Sequence, residues 1–173
     1  MFSQPINQRI KGGAVRTRPD YRLLLDNIRS VHNVASIFRT AETVGISMIY
    51  CLGTTPAPLD RFRRKRADFA KVALGAEDLV PWEYLESSVV LLKNLKEKKF
   101  QVVAVEQANN SVDYKKVKPA KKVLLILGNE VEGVSKSLLK QSDIIAEIPM
   151  KGKKESLNVA VTAGVVLFRF FDK

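Results

Sequence analysis

Five short runs of aliphatic and β-branched residues alternate along this chain with longer amphipathic segments. Short apolar runs favour buried strands, and apolar residues three or four positions apart favour helices. The predicted strands are 21–27, 47–53, 101–106, 122–128 and 143–149, and the predicted helices are 33–44, 66–74, 86–98, 135–141 and 157–171. This alternation is typical of βαβ units, so we predict an α/β fold with a mostly parallel sheet and helices on both faces.

The predicted sheet also indicates where function lies. Ligands of open parallel sheets bind beyond the carboxyl ends of the strands, so the loops after residues 106, 128 and 149 are the candidate sites. A length of 173 residues with 46% hydrophobic content suits a single domain, which we place at 21–173. Residues 1–20, which are basic and have few apolar groups, are predicted to form an N-terminal arm.

Charge and cysteine content narrow the functional class. The net charge of +11 favours an anionic partner such as nucleic acid or an acidic membrane, although a basic protein without such a partner is the alternative. The single cysteine, Cys51, cannot form an internal disulfide. The longest apolar stretch, 159–168, is too short to span a bilayer, and residues 1–13 lack the apolar core of a secretory signal. We therefore expect a cytoplasmic protein with no membrane partner.

The stretch HNVASIFRTAETVG, residues 32–45, predicts an amphipathic helix. Its apolar residues share one face, and Arg39 lies on the opposite, polar face. Asn33 is expected to cap the N-terminus. From this stretch alone, a solvated Arg39 is the simpler interpretation. His32 is the only histidine and no G-x-S-x-G motif is present, so hydrolase and zinc-enzyme functions are excluded.

The sequence LLILGNEVEGVS contains a glycine loop, residues 128–134, with Gly128 and Gly133 at the spacing of a phosphate-binding loop. Val134 stands where that motif requires a lysine, and the two glutamates of the loop would repel a triphosphate. The loop therefore favours a ligand without phosphates, held by carboxylates and open backbone N–H groups. A tight glycine turn with two exposed acids is an equal alternative.

Two further segments are rich in cations. The lysine loop, residues 150–158 (MKGKKESLN), precedes the last predicted helix, where Ser156 is a plausible N-cap and Asn158 falls in the first turn. The arginine cluster, residues 61–66 (RFRRKR), has five cations in six residues. Both segments suit a phosphate backbone and predict salt-dependent RNA binding. A capped helix with a solvated loop, and a disordered arginine run, are the open alternatives.

Together, the segments HNVASIFRTAETVG, LLILGNEVEGVS and IPMKGKKESLNVAVTAG resemble the three signature motifs of the SpoU (TrmH-like) branch of the SPOUT RNA methyltransferases. The resemblance covers roughly residues 21–171. It implies transfer of a methyl group from S-adenosylmethionine to a ribose 2′-hydroxyl of RNA. It also implies a homodimer and a C-terminal trefoil knot, which is an exception to the rule that chains do not thread their own loops.

The resemblance assigns roles to individual residues, and the basic segments add RNA-binding candidates. The implied catalytic residues are Asn33, Arg39, Glu130, Ser156 and Asn158. The implied cofactor-binding residues are Val105, Glu106, Gly128, Ile148, Pro149, Met150, Ser156 and Leu157. The RNA-binding candidates are Arg61, Arg63, Arg64, Lys65, Arg66, Lys151, Lys153 and Lys154, and no metal is expected. Because an arginine keeps its proton, we expect Arg39 to stabilise a developing alkoxide rather than to act as a base.

Alternatives remain for the substrate and for catalysis. We expect tRNA rather than ribosomal RNA, because the chain ends about where its last helix ends and no separate RNA-binding domain precedes residue 20. An inactive RNA-binding or assembly factor would keep the fold, but it would not need all five polar site residues. An ATPase is disfavoured by Val134 and by the acids of the glycine loop.

Overall fold

The computed structural model describes residues 19–171, which contain a seven-stranded sheet whose strands all pair in parallel. The strands are β1 (Asp20–Asp26), β2 (Met48–Leu52), β3 (Trp82–Leu85), β4 (Gln101–Val105), β5 (Val112–Asp113), β6 (Lys122–Leu127) and β7 (Ile144–Glu147). Their order across the sheet is β3-β2-β1-β6-β4-β7-β5. The predicted parallel sheet is confirmed.

Within residues 19–171, six α-helices cover the two faces of the sheet. They are α1 (Val31–Val44), α2 (Ala67–Ala73), α3 (Ala76–Leu79), α4 (Val89–Glu97), α5 (Lys136–Leu139) and α6 (Val159–Phe171), with a 3-10 helix at Tyr114–Lys116. Successive residues of a strand point to opposite faces. Leu23 and Leu25 of β1 therefore pack in the core beneath α1, α2, α3 and α6, whereas Leu24 packs in the core beneath α4 and α5.

Hydrogen bonds fix both ends of α1. The N-cap is Ser30, whose Oγ accepts a hydrogen bond from the backbone N–H of Asn33 at 3.2 Å. The expected cap at Asn33 is wrong because the helix begins earlier, at Val31. At the other end Gly45 takes the left-handed conformation, with φ 82°, which glycine adopts without strain. The Asn33 side chain is thus free for contacts outside its own helix.

The start of α6 also differs from the prediction. The helix begins at Val159, and Asn158 caps it: its Oδ1 accepts the N–H of Ala160 at 2.9 Å. The expected cap at Ser156 is therefore wrong, and Ser156 is exposed. Neither β3 nor β5 was predicted. Both are edge strands, and the short, partly exposed β3 and the two-residue β5 lack the apolar run that marks a buried strand.

Other sequence predictions concern the chain ends and the cysteine. The cations of the predicted arm, Arg9, Lys11, Arg16 and Arg18, lie outside the described residues, and residue 20 already belongs to β1. Across residues 19–171, every helix is too short or too polar to cross a membrane. The trefoil knot is consistent with the strand order and stays a prediction. Burial raises the pKa of the Cys51 thiol to about 12, so this group stays protonated and takes no part in the chemistry below.

Candidate active site

A cleft of about 280 Å³ opens at the carboxyl ends of β4, β6 and β7, which are neighbours in the sheet. Its walls are formed by residues that follow these three strands, together with the end of the lysine loop and the first turn of α6. The three loops that were expected to carry the chemistry therefore meet in one place.

Most of the expected cofactor-binding residues line this cleft. The lining residues among them are Val105, Glu106, Gly128, Ile148, Met150, Ser156 and Leu157. Pro149 is the exception, because it is exposed and lies outside the lining. Glu130, expected to be catalytic, also lines the cleft.

The glycine loop is held in shape by Asn129, a buried residue within it. The Asn129 Oδ1 accepts the backbone N–H groups of Val131 at 2.8 Å and of Glu132 at 3.0 Å. Its Nδ2 donates to the carbonyl of Asn27 at 2.8 Å, which ties the loop to the end of β1. Backbone bonds in both directions between Asn129 and Gly133 close the loop into a turn.

Two carboxylates also accept hydrogen bonds from the backbone at the end of the glycine loop. Glu106 Oε2 accepts the N–H of Val134 at 2.8 Å, and Asp26 Oδ2 accepts the N–H of Ser135 at 2.8 Å. The N–H groups of residues 131–135 are thus used within the chain. The expectation of open N–H groups is wrong for these five positions, and the loop cannot cradle a phosphate as a P-loop does.

Gly128 allows two backbone segments to approach each other closely. A Cβ at Gly128 would lie 2.3 Å from the carbonyl carbon of Gly133 and from the nitrogen of Val134. No side chain fits there without moving the backbone. The glycine spacing resembles a phosphate-binding motif because Gly128 packs against the backbone of Gly133 and Val134 within the same loop.

Three of the expected catalytic residues contact one another beside the cleft. Asn33 Nδ2 donates to Glu130 Oε1 at 2.8 Å, and Asn158 Nδ2 donates to Asn33 Oδ1 at 3.2 Å. This chain of polar groups joins α1, the glycine loop and the start of α6. Ser156 lines the same cleft and has no side-chain hydrogen bond among the described residues.

Arg39 lies apart from this group. It is six residues beyond Asn33 on α1, which places it about 9 Å along the helix axis and about 120° around it. Arg39 is exposed and borders a separate hollow of about 720 Å³ between α1 and α2. The hollow is lined by Val31, His32, Ser36, Arg39, Asp68, Lys71, Val72 and Leu74. Within one chain, the structure does not bring Arg39 to the cleft.

The cleft is acidic although the protein is basic. Four carboxylate side chains line it, from Glu106, Glu130, Glu147 and Glu155, and no lysine or arginine of the described residues does. Apolar groups also line the cleft, from β4, from β6, from the segment that follows β7 and from α6. Carboxylates and apolar walls favour a ligand that has a cationic group and a hydrophobic body, and they disfavour a phosphate.

The arginine cluster is partly neutralised by acids. The pairs are Arg64 with Asp60 at 2.8 Å, Lys65 with Asp78 at 2.7 Å and Arg66 with Asp68 at 2.8 Å. The hydrogen bond from Arg66 lowers the pKa of the Asp68 carboxyl, and the hydrogen bond to Asp78 raises the pKa of the Lys65 ammonium.

Two cations of the cluster remain free of such pairs. Arg61 and Arg63 are exposed and form no ion pair within residues 19–171. The guanidinium of Arg61 lies 4.7 Å from the ring centre of Phe62, an exposed aromatic residue. Of the five cations in the cluster, these two are the most available to an anionic partner.

Comparison with known proteins agrees with the motifs and the cleft. The model of the SpoU rRNA Methylase family matches residues 20–168. The chain belongs to the SpoU rRNA methylase family. The resemblance of the three sequence motifs is thereby confirmed.

Relatives of this SpoU protein act on different RNAs. A tRNA (guanosine(18)-2′-O)-methyltransferase of Aquifex aeolicus (strain VF5) is 29% identical over 162 residues, which are 93% of this chain and 73% of the relative. A 23S rRNA (guanosine-2′-O-)-methyltransferase, RlmB, of Neisseria meningitidis serogroup B is 31% identical over 151 residues, 87% of this chain. This chain spans only 58% of that relative's length.

A solved structure provides a third comparison. The crystal structure of an AdoMet-bound rRNA methyltransferase from Sinorhizobium meliloti matches with a TM-score of 0.75 and 28% identity. The match covers 88% of this chain and 57% of that one. The SpoU fold is therefore supported by both sequence and backbone.

Some residues that build the SpoU site were missed in the sequence. They are Asp26, Asn129 and, as a side chain rather than a backbone group, Glu106. Each is a polar residue at or just after the carboxyl end of a buried strand, which is the one signal that could have drawn attention to them. Among the described residues, no cluster of three His, Cys, Asp or Glu side chains is arranged to hold a metal ion.

Asn129→Ala tests the account of the glycine loop. The substitution removes two acceptor contacts and one donor contact at a buried position, so we expect the free energy of unfolding to fall by about 2–3 kcal/mol. Urea unfolding followed by circular dichroism measures this change. The exposed Asn110 offers a matched control, since Asn110→Ala is expected to stay within about 0.5 kcal/mol of the parent. Equal losses for the two variants would contradict this role of Asn129.

Proposed function

We propose that this chain transfers a methyl group from S-adenosylmethionine to a ribose 2′-hydroxyl of RNA. The observation that carries the proposal is the acidic cleft at the ends of β4, β6 and β7, bordered by the hydrogen-bonded Asn33, Glu130 and Asn158. The names of the Aquifex and Neisseria relatives describe 2′-O-methyltransferases, and the Sinorhizobium structure holds AdoMet, which supports the same activity here.

The residues of the cleft fit S-adenosylmethionine. The cofactor has a sulfonium and an ammonium group, and its cations suit a site lined by four carboxylates. Its adenine suits the apolar wall, to which Leu127, Ile148 and Val159 contribute. An ATP-dependent activity is disfavoured, because the same carboxylates and the occupied N–H groups oppose a triphosphate.

The polar residues have separate parts in this reaction. S-adenosylmethionine supplies an electrophilic methyl group on sulfur. A bond would form between the ribose oxygen and that methyl carbon while the carbon–sulfur bond breaks, which would leave the neutral thioether, and the hydroxyl proton would pass to solvent water. Asn33, Ser156 and Asn158 orient the reacting groups, and Arg39 stabilises the negative charge that develops on the ribose oxygen.

A second copy of the chain would bring Arg39 to the cleft. Arg39 and Asn33 face different sides of α1, so one copy alone does not assemble all five residues. On α6, Val161 and Phe168 lie on one helical face and are 52% and 45% exposed. At the cleft, Val131 is 88% exposed. These apolar groups favour a homodimer that covers them and in which Arg39 of one copy serves the cleft of the other.

Transfer RNA is the RNA class that we propose, with ribosomal RNA as the alternative. The Aquifex relative acts on tRNA, and its match covers a larger share of both chains than the match to the Neisseria ribosomal RNA enzyme. Either substrate is consistent with a cytoplasmic location. Binding would use Arg61 and Arg63 together with Lys151, Lys153 and Lys154 of the lysine loop, all of which are exposed.

A methyl-transfer assay tests the activity. The purified chain is incubated with radiolabelled S-adenosylmethionine and unmodified total RNA, and the labelled RNA is then mapped for ribose methylation. We expect label in tRNA as a 2′-O-methyl group. Label in ribosomal RNA alone would reject the tRNA assignment. Binding of S-adenosylmethionine in calorimetry without transfer to any RNA would favour an inactive RNA-binding factor.

Complementation tests the role of Arg39 and the dimer together. Arg39→Ala should lose turnover while its affinity for S-adenosylmethionine stays near that of the parent, because Arg39 lies outside the cleft. Asn158→Asp keeps the helix cap but removes the donor to Asn33, so it should also lose turnover. Mixed and refolded together, the two inactive variants should recover about a quarter of the parent activity, since half of the dimers then hold one intact site.

Two results would contradict the proposed role of Arg39 in the cleft of the other copy. No recovery from the mixture, although each variant forms dimers by sedimentation, would show that Arg39 serves the cleft of its own chain. An Arg39→Ala variant that retains most of the parent rate would remove Arg39 from the catalytic group altogether.

The salt dependence of RNA binding tests the arginine cluster. Arg61→Gln with Arg63→Gln removes two unpaired cations, so the slope of log K against log salt should become shallower by about 1–2. The control Lys65→Gln with Asp78→Asn removes an ion pair without a change in net charge and should leave the slope nearly unchanged. Filter binding with tRNA at several salt concentrations gives both slopes. Equal effects of the two double variants would contradict the distinction between paired and unpaired cations.

A further inference from the structure

Glu106 has an unusual position at the end of β4. Its backbone N–H donates to the carbonyl of Ala146 in β7 at 2.9 Å. Its carboxylate points to the other side, where Oε2 accepts the N–H of Val134 at 2.8 Å and Oε1 accepts the N–H of Gln107 at 2.9 Å. One residue thus links the loop after β4, the strand β7 and the glycine loop after β6.

Gly133 makes this contact possible. A Cβ at residue 133 would lie 2.1 Å from Glu106 Oε2, and the residue has φ 70°. Any side chain there would displace the carboxylate from the Val134 N–H. The second glycine of the glycine loop therefore matches Glu106 rather than a bound phosphate.

Gln107 extends the link to the lysine loop. Its Nε2 donates to the backbone carbonyl of Glu155, which also lines the cleft. Glu106 and Gln107 are adjacent, so two consecutive side chains reach the two loops on either side of them. All three walls of the cleft are joined through this dipeptide.

We propose that Glu106 is a positioning residue whose carboxylate holds the glycine loop against the loop after β4, with Gly133 as its required counterpart and with the adjacent Gln107 holding the lysine loop. Both of its oxygens accept backbone N–H groups of the protein, so the carboxylate acts on the loops and does not serve mainly as a direct ligand of the cofactor. The proposal deepens the proposed function, since it concerns how the same cleft is held ready for S-adenosylmethionine. Loops held in the bound geometry before binding lower the entropic cost of binding.

A double-mutant cycle between residues 106 and 133 tests the proposal. Glu106→Ala should raise the Kd for S-adenosylmethionine at least about tenfold and change kcat at saturation little, because the loss is one of preorganisation. Gly133→Ala should have a similar effect by pushing the carboxylate away. The double variant should bind no more weakly than Glu106→Ala alone, because the added methyl no longer meets a carboxylate.

Two further variants separate the contact from backbone strain. Gly45→Ala places alanine at a comparable left-handed position, φ 82°, with no atom within 4 Å of the new Cβ, so it should leave the Kd unchanged. Glu106→Gln keeps one carbonyl acceptor but loses the other, so its Kd should fall between those of the parent and Glu106→Ala. Additive effects of Glu106→Ala and Gly133→Ala on the Kd would overturn the proposal.

Amide hydrogen exchange distinguishes failure of this proposal from failure of the proposed function. The Val134 N–H should exchange faster in Glu106→Ala and in Gly133→Ala than in the parent, without any ligand present. Unchanged exchange would overturn the positioning role even if binding weakens. If the parent does not bind S-adenosylmethionine in calorimetry, the proposed function fails, and faster Val134 exchange would still support the link between the loops.

Discussion

The pairing of β6 with β1 on one side and with β4 on the other is the constraint on which the rest of this structure depends. The parallel register places Leu127 of β6 level with Leu25 of β1 and with Val105 of β4. Val105 is in turn level with Ala146 of β7. The residues that follow, Asp26, Gly128, Glu106 and Glu147, therefore leave the sheet at the same edge. The site is a direct consequence of this register.

Most of the polar residues that leave the sheet at this edge hold other loops in place. Asp26 is almost fully buried, yet its carboxylate oxygens accept from Ser135 and from the Asn27 side chain. A buried carboxylate is costly unless such donors surround it. The glycine loop, in turn, would leave its backbone N–H groups unpaired without Asp26, Glu106 and Asn129. The side-chain oxygens and the backbone N–H groups thus satisfy one another's hydrogen bonds, and the glycine loop is fixed to the strand ends.

The sequence was sufficient for those parts of the structure that depend on local pattern. Hydrophobic periodicity placed the five principal strands within two residues of their bounds. The predicted parallel sheet then pointed to the loops at the carboxyl ends of its strands, and these loops line the cleft. Contacts between distant residues were not predictable in this way. Ser30 rather than Asn33 caps α1, because the helix begins at Val31, and Asn33 reaches Glu130, 97 positions along the chain. The separation of Arg39 from the cleft likewise depends on where α1 packs, which no local pattern reveals.

The basic protein and its acidic cleft favour different ligands, RNA on the surface and S-adenosylmethionine in the cleft. With a net charge of +11, the protein attracts RNA, yet the four carboxylates of the cleft repel phosphates that approach it. The same carboxylates favour a sulfonium cation over the neutral thioether that remains after methyl transfer. The carboxylates of the cleft therefore oppose entry of the RNA phosphates. They also favour binding of S-adenosylmethionine over binding of the thioether product. The ribose hydroxyl is uncharged, so these carboxylates repel it less than they repel the phosphates of the RNA.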